Sequence, residues 1–328
     1  MSLMGNLNRA LSATTGLQVR RAAPAAPPQP NKAGAKPGKR PTPVYRCPAP
    51  GDLATDRLLR RPVFIMSPVR SGSTLLRMLL NAHPRLHSPH ELHIRRLEVD
   101  FGSRLSQRAM SALDLERGDL EHLLWDRVMH RELVRSGKDV LVEKTPSNAF
   151  VHRRIRDCWP DARFVFLLRH PVSIARSWHE GDPDKRTFDE AAADALRYMK
   201  AVDNARNAAT DGHGDHGDTG SHGGRGSHGD TGNHGGHGGH GGHYTLRYED
   251  LTADAGKEMR GLCAFLDVDF EPSMLDYGRR DDTQVVKGLG DWRDKIRTGQ
   301  VQSGRALPAE DEIPELLRPM CAAWGYTS

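Results

Sequence analysis

The segment Ser67-Pro68-Val69-Arg70-Ser71-Gly72-Ser73-Thr74 has the residue types of an anion site. Small residues let several backbone N–H groups converge on one ligand, and a helix starting there adds its partial positive charge. Arg70 brings a full charge, and Ser73 and Thr74 bring hydroxyl donors. The same residues would also serve as an ordinary strand-to-helix turn with N-cap side chains. The nucleotide triphosphatase pattern GxxxxGK(S/T) is absent, because no lysine stands where it would reach the outer phosphates. That argues against an ATP or GTP site of the usual kind.

These groups need a scaffold, and the apolar pattern supplies one. Val63-Phe64-Ile65-Met66 is a short run of strand formers leading into the loop. Beyond the loop, Leu75, Leu76, Leu79 and Leu80 share one helical face. Val140-Leu141-Val142 reads as a second strand, ended by Lys144-Thr145-Pro146, with Ser147 or Asn148 placed to cap a following helix. Arg163 to Leu168 is the clearest strand; Arg169-His170-Pro171 ends it and a helix begins at Val172. Tyr244 to Tyr248 reads as a further strand. Helices are expected over 113–136, Phe188 to Ala208, Ala255 to Leu266 and Glu310 to Trp324, with an irregular loop over 280–306. Alternating strands and helices predict an α/β fold with a central parallel sheet flanked by helices. Ligands of such sheets collect at the carboxyl ends of the strands, where the polar residues after Met66, Val142 and Leu168 stand.

Pro62-Val63-Phe64-Ile65 through Arg70-Ser71-Gly72-Ser73-Thr74-Leu75-Leu76-Arg77, followed by Asn81-Ala82-His83-Pro84, resembles the 5'-phosphosulfate loop of sulfotransferases that use 3'-phosphoadenosine-5'-phosphosulfate (PAPS). It looks most like the branch containing tyrosylprotein sulfotransferases and bacterial relatives. The resemblance implies a single P-loop-like domain and a PAPS donor, leaving adenosine 3',5'-bisphosphate as product. It also implies donor binding by Arg70, Ser71, Gly72, Ser73, Thr74 and Leu75. The family's 3'-phosphate motif is a strand-terminal arginine followed eight residues later by a serine, the spacing of Arg169 and Ser177. An arginine there and a hydroxyl one to two turns into the next helix can grip one dianionic phosphate. Taken alone, Arg169 reads first as a surface ion-pair partner; paired with the loop after Met66, the order of the two readings reverses. Leu246-Arg247-Tyr248-Glu249-Asp250-Leu251 resembles a family segment whose tyrosine lies near the adenine, although a core tyrosine would look the same. Lys287-Gly288-Leu289-Gly290-Asp291-Trp292-Arg293 resembles the family's C-terminal donor-binding loop, one residue short between its glycines, and implies Lys287 and Gly288 as 3'-phosphate contacts.

Sulfuryl transfer is an in-line displacement, so positioning and charge stabilisation carry most of it, helped by a general base. The resemblance implies Glu91 as that base, at the family's distance from the loop arginine. His90 and His93 are rivals, because histidine titrates near neutral pH. The resemblance also places Lys144 near the bridging oxygen or sulfate, sharing with Arg70 the charge of the leaving group. Glu91 as a solvated carboxylate or an ion-pair partner of Arg95 or Arg96, and Lys144 paired with Glu143 or at the surface, are the bland alternatives.

Residues 1–51 are rich in Ala, Pro, Arg and Lys, a composition that reads as a disordered tail. Residues 211–243 are almost wholly Gly, His, Asp, Ser and Thr and read as a low-complexity insertion. The expected sulfotransferase domain is therefore 52–328, interrupted at 211–243. The insertion's histidines, His213 to His243, are irregularly spaced among glycines and read as a spacer in preference to a metal site; no metal is required. The net charge of +5 suits an anionic partner, but no helix-turn-helix, zinc-finger or RNA-binding signature points to nucleic acid. Cys47, Cys158, Cys263 and Cys321 form no CxxC pair, which favours a reduced, cytoplasmic setting. No apolar run reaches membrane-spanning length and no apolar signal core is visible. The expected reaction is PAPS-dependent transfer to a hydroxyl acceptor: a small molecule, sugar or glycolipid rather than a protein tyrosine. The chain could pair as a homodimer. The alternatives are a nucleotide-binding P-loop-like kinase, a non-catalytic PAPS-binding protein and a histidine-rich metal carrier.

Overall fold

Five parallel strands form one sheet in the order β2-β3-β1-β4-β5. They are β1 (Val63–Met66), β2 (Leu86–His87), β3 (Val140–Glu143), β4 (Arg163–Leu168) and β5 (His243–Arg247). In this computed structural model residues 57–211, 242–279 and 298–327 are described. The 1–51 tail, residues 212–241 of the insertion, and Lys287 and Gly288 lie outside the described residues.

Strand side chains alternate between two faces, so both faces of a buried parallel sheet must be apolar. Phe64, Met66, Phe164, Phe166 and Leu168 point to one face and pack with Trp125 and Trp159. On that side lie α3 (Arg117–Ser136) and α6 (Phe188–Asp211), which contributes Ala192, Ala195 and Met199. Val63, Ile65, Val165 and Leu167 point to the other face. There they meet Leu76 and Leu79 of α1 (Ser73–Ala82) and Met259 and Leu262 of α8 (Ala255–Phe265). The remaining helices are α2 (Arg104–Ser111), α4 (His152–Cys158), α5 (Pro171–His179), α7 (Tyr248–Ala253) and α9 (Arg318–Ala323).

Four sequence expectations need correction. The helix expected over 113–136 begins at Arg117, because Asp114 takes a left-handed φ of 56° that breaks it from α2. The segment Glu310 to Trp324 is not one helix: two 3₁₀ turns precede α9, with Pro314 and Pro319 unable to donate to a continuous ladder. Tyr248 opens α7 instead of closing β5, with Glu249 and Asp250 in the first turn where the helix dipole favours acids. Neither Ser147 nor Asn148 caps a helix; both lie inside the 3₁₀ turn Pro146–Val151, and Asn148 donates to Glu143 instead.

A buried polar cluster ties the start of the described chain to α3 and α4. Arg57 Nε donates to the Cys158 carbonyl at 2.7 Å, and Arg57 Nη2 lies 2.7 Å from His122 Nδ1. Burial, then the charges of Arg57 and Arg154, push the His122 imidazole down to about 2. An unfolded chain protonates this histidine below pH 6.5, whereas the folded one does not, so the unfolded state binds more protons as pH falls. Stability should therefore drop by about 1.4 kcal/mol per pH unit below 6.5 from this group alone. Urea unfolding of wild type and His122→Gln at pH 7 and pH 5 measures it. The gap between the two proteins should move by roughly 2 kcal/mol in favour of the variant at pH 5. Parallel pH curves would contradict the assignment.

Candidate active site

The loop after β1 turns twice through left-handed backbone, at Arg70 (φ 64°) and Gly72 (φ 90°). The first is costly for an L-residue, on the order of 1–2 kcal/mol, and needs neighbours to hold it. Ser71 Oγ donates to the Pro68 carbonyl at 2.8 Å and fixes the bend. Gly72 is the N-cap of α1, and no side chain caps that helix. The cap therefore supplies no side-chain acceptor to the helix's first N–H groups. Ser73 and Thr74 are buried at this end, and Ser67 Oγ is buried with no hydrogen-bond partner among the described residues. The Leu75 side chain packs in the core, so only its backbone can serve a ligand.

Arg169 stands at the end of β4 and reaches the same loop. Its Nη1 donates to the Arg70 carbonyl at 2.8 Å, and its guanidinium lies 4.4 Å over the Tyr248 ring. Arg70 Nε in turn donates to the backbone carbonyl of Ser177 on α5 at 3.1 Å. The Tyr248 ring is so close to Gly72 that an added Cβ would sit 2.2 Å from Cδ2. Loop, strand end, α5 and α7 are therefore knotted together. Burial lowers the Arg169 pKa, with Tyr248 and Glu249 opposing, and Arg169 Nε is buried without a partner among the described residues. An unpartnered guanidinium nitrogen beside an uncapped helix start suits an incoming phosphate.

A second group lies at the end of β3. Lys144 Nζ donates to Glu91 Oε1, and Glu91 Oε2 is 3.3 Å from His93 Nε2. Lys144 is 1% exposed and the Glu91 side chain 13%. Burial lowers the Lys144 pKa, and the Glu91 carboxylate opposes that shift. Of the rival histidines, His93 meets the Glu91 carboxylate, whereas His90 Nδ1 faces the Glu91 backbone carbonyl at 3.0 Å.

Sequence reasoning missed the groups that hold this pair. Glu143 is fully buried and accepts from Thr145 Oγ1 at 2.6 Å, from the Leu92 N–H at 3.2 Å and from Asn148 Nδ2. Thr145 Oγ1 also accepts the His93 N–H at 3.2 Å. Two successive amides after Glu91 are thus clamped to the end of β3, which sustains the left-handed φ of 49° at His93. Burial pushes the Glu143 carboxyl up to about 7, against the hydrogen bonds from Thr145 and Leu92 and the Lys144 charge. Arg77, also buried, donates to the Ser88 carbonyl at 2.9 Å; burial brings it down to about 10, with the Glu91 charge opposing. The one sequence signal for Glu143 was an acid directly after an apolar run.

Residues 62–217 match the model of a group described as "Sulfotransferase family". This stretch is a sulfotransferase-family segment. It contains Arg70 to Leu75, Glu91, Lys144, Arg169 and Ser177, and stops short of Tyr248. The fold is similar to two solved sulfotransferase domains. One, from the olefin synthase of Synechococcus PCC 7002, is 22% identical with a TM-score of 0.52, over 87% of this chain and 99% of that one. The other, from the curacin biosynthetic pathway, is 19% identical with a TM-score of 0.51, over 83% and 99%. The nodulation protein NoeE of Sinorhizobium fredii is 29% identical over 126 residues, 35% of this chain and 30% of that protein, so this chain spans under a third of that relative's length. Among the described residues no group of His, Cys, Asp and Glu could hold a metal, and no helix is long and apolar enough to cross a membrane.

Proposed function

We propose that this protein transfers a sulfuryl group from PAPS to a hydroxyl acceptor, and that the knot of Arg70, Arg169, Tyr248 and Gly72 beside the Glu91–Lys144 pair is where it does so. The observation that carries the reading is the direct bond from Arg169 Nη1 to the Arg70 carbonyl, which brings two strand ends to one place. In this reading the 5'-phosphosulfate lies on the amides of Ser71 to Leu75 with Arg70. The 3'-phosphate takes Arg169 and the Ser177 hydroxyl, joined by Lys287 and Gly288. Tyr248, already under the Arg169 guanidinium, borders the adenine.

The chemistry follows from charge placement. The acceptor oxygen forms a bond to sulfur as the bridging sulfur–oxygen bond breaks, and that electron pair leaves on the 5'-phosphate. Glu91 takes the acceptor's proton. Lys144 has three N–H donors, one of which orients Glu91; the others, with Arg70, meet the charge on the leaving oxygen. A small molecule, sugar or glycolipid is the acceptor class favoured over a protein tyrosine.

Thermal unfolding with added nucleotide tests the donor assignment. Adenosine 3',5'-bisphosphate at 100 times its Kd should stabilise the protein by about 2.7 kcal/mol, and ATP should not. Arg169→Ala should abolish the shift. Equal stabilisation by ATP, or none by the bisphosphate, would sink the reading. Turnover of labelled PAPS by wild type but not by Glu91→Gln, with bisphosphate binding kept in both, separates an enzyme from a silent binder.

A further inference from the structure

Two short arms leave the Glu91–Lys144 pair and meet again a few residues later. Arg95 lies on the 3₁₀ turn Ile94–Arg96, four residues after Glu91. Phe150 lies on the turn Pro146–Val151, six residues after Lys144. The Arg95 guanidinium sits 5.6 Å over the Phe150 ring. Tyr198 of α6 meets Phe150 edge-on with ring centroids 4.9 Å apart, and Trp178 meets Tyr198 edge-on at 5.7 Å. Trp178 directly follows Ser177, whose carbonyl holds Arg70. A strip of three aromatic rings is thus tied at one end to the segments carrying Glu91 and Lys144, and at the other to the residue beside the donor loop's anchor. Phe150 is 39% exposed, and Tyr198 and Trp178 are half-buried, so the strip keeps open ring surface.

The strip also carries a mismatched charge. Arg186 lies 5.2 Å over Trp178, but Asp194 offsets it at 3.6 Å. Arg95 has no carboxylate partner among the described residues, and its Nε is buried without a hydrogen bond. Burial lowers its pKa, the like charge of Arg96 adds to that, and Tyr198 opposes. A half-buried cation without a counter-ion is an expensive arrangement unless something supplies the anion. A guanidinium fork matches a carboxylate or phosphate in two parallel hydrogen bonds.

We infer that Phe150, Tyr198 and Trp178 form the wall against which the acceptor lies, and that Arg95 selects acceptors carrying a carboxylate or phosphate next to a flat apolar portion. This rests on the sulfuryl-transfer reading and gives it a substrate class. The rings stack the apolar part, Arg95 takes the anion, and the hydroxyl is left to face Glu91. Both anchors sit on backbone that leaves the catalytic pair itself, so the distance from anion to hydroxyl is set by short, ordered segments.

The test uses matched acceptor pairs, each a hydroxyl compound as free acid and as its methyl ester: hydroxyphenyl-alkanoic acids, aliphatic hydroxy acids and a uronic acid. Sulfation is followed with labelled PAPS. Binding to the complex with adenosine 3',5'-bisphosphate is measured by calorimetry in parallel, so an acceptor that binds without turnover still counts. The wild type should favour acids over esters by about tenfold or more, expressed in KM or Kd, as expected for a charge-assisted pair. Arg95→Gln should erase the preference while bisphosphate affinity stays unchanged, and Arg95→Lys should keep part of it. No acid-over-ester preference in either assay overturns the inference, as does a preference that survives Arg95→Gln. Failure of the bisphosphate itself to bind would instead strike the sulfuryl-transfer reading.

Discussion

Replacing Lys144 with methionine should lower kcat by about 10²–10³-fold while the nucleotide still binds, because it removes one preorganised charge aimed at the leaving oxygen. Methionine keeps the length of the side chain, so the buried space at the end of β3 stays filled. What disappears is the cation. Lys144 is 1% exposed, and burial already works against its charge, with Glu91 opposing. A lysine retained there as an ion pair gains little stability over an apolar residue. In the proposed reaction its value lies in catalysis, where a charge in a water-poor site acts strongly on the oxygen that becomes anionic. The variant also removes the Lys144 bond to Glu91 and leaves that carboxylate with His93 at 3.3 Å, which loosens the proposed base. Single-turnover rates with labelled PAPS, alongside adenosine 3',5'-bisphosphate affinity, measure the outcome. An affinity within about threefold of wild type would show that the site is intact. A rate within tenfold of wild type would remove Lys144 from the mechanism.

The strands that place these groups were legible because each is an apolar run ended by a charged or small residue. Val63–Met66 ends at the loop and Arg163–Leu168 ends at Arg169. A parallel sheet buried on both faces makes such runs conspicuous. Leu86–His87 was not legible, since two residues carry no periodicity; it exists because β3 offers it an edge to pair with. The C-terminal segment misled because its apolar residues have helical spacing while Pro314 and Pro319 forbid one continuous ladder.

The site was legible in its charged tips and illegible in its supports. Arg70, Arg169 and Lys144 follow apolar strands, where a charge is conspicuous, whereas Glu91 was reached only through the family resemblance. Glu143, Thr145 and Asn148 form a buried clamp whose meaning depends on the Leu92 and His93 amides, fifty residues away along the chain. Nothing local to Glu143 announces that partner. Arg95 was hidden for the opposite reason. In sequence it is one of many arginines, and the absence of an acid beside it becomes visible only once the fold assigns its neighbours.

Gly72→Ala should abolish nucleotide binding, by at least about 100-fold, and lower Tm by about 5 °C or more, because two independent penalties fall on one methyl group. The first is conformational. A φ of 90° lies in the left-handed region that favours glycine, and alanine there is strained by on the order of 1–3 kcal/mol. The second is steric. The new Cβ would stand 2.2 Å from Tyr248 Cδ2 and 2.4 Å from Cε2, so either the ring or the loop must move. Displacing the ring takes away the surface under the Arg169 guanidinium, 4.4 Å above it. Displacing the loop breaks the Arg169 bond to the Arg70 carbonyl and the Arg70 bond to Ser177. Each route loses charge-assisted contacts to phosphate, which are worth about 1.5–3 kcal/mol apiece. Adding Tyr248→Ala to Gly72→Ala separates the two penalties. The ring clash vanishes, so stability should recover more than additivity allows, whereas nucleotide affinity should stay low because the support of Arg169 is gone. If Gly72→Ala bound adenosine 3',5'-bisphosphate within threefold of wild type, the ring of Tyr248 could not be wedged between that loop and Arg169 in the working enzyme.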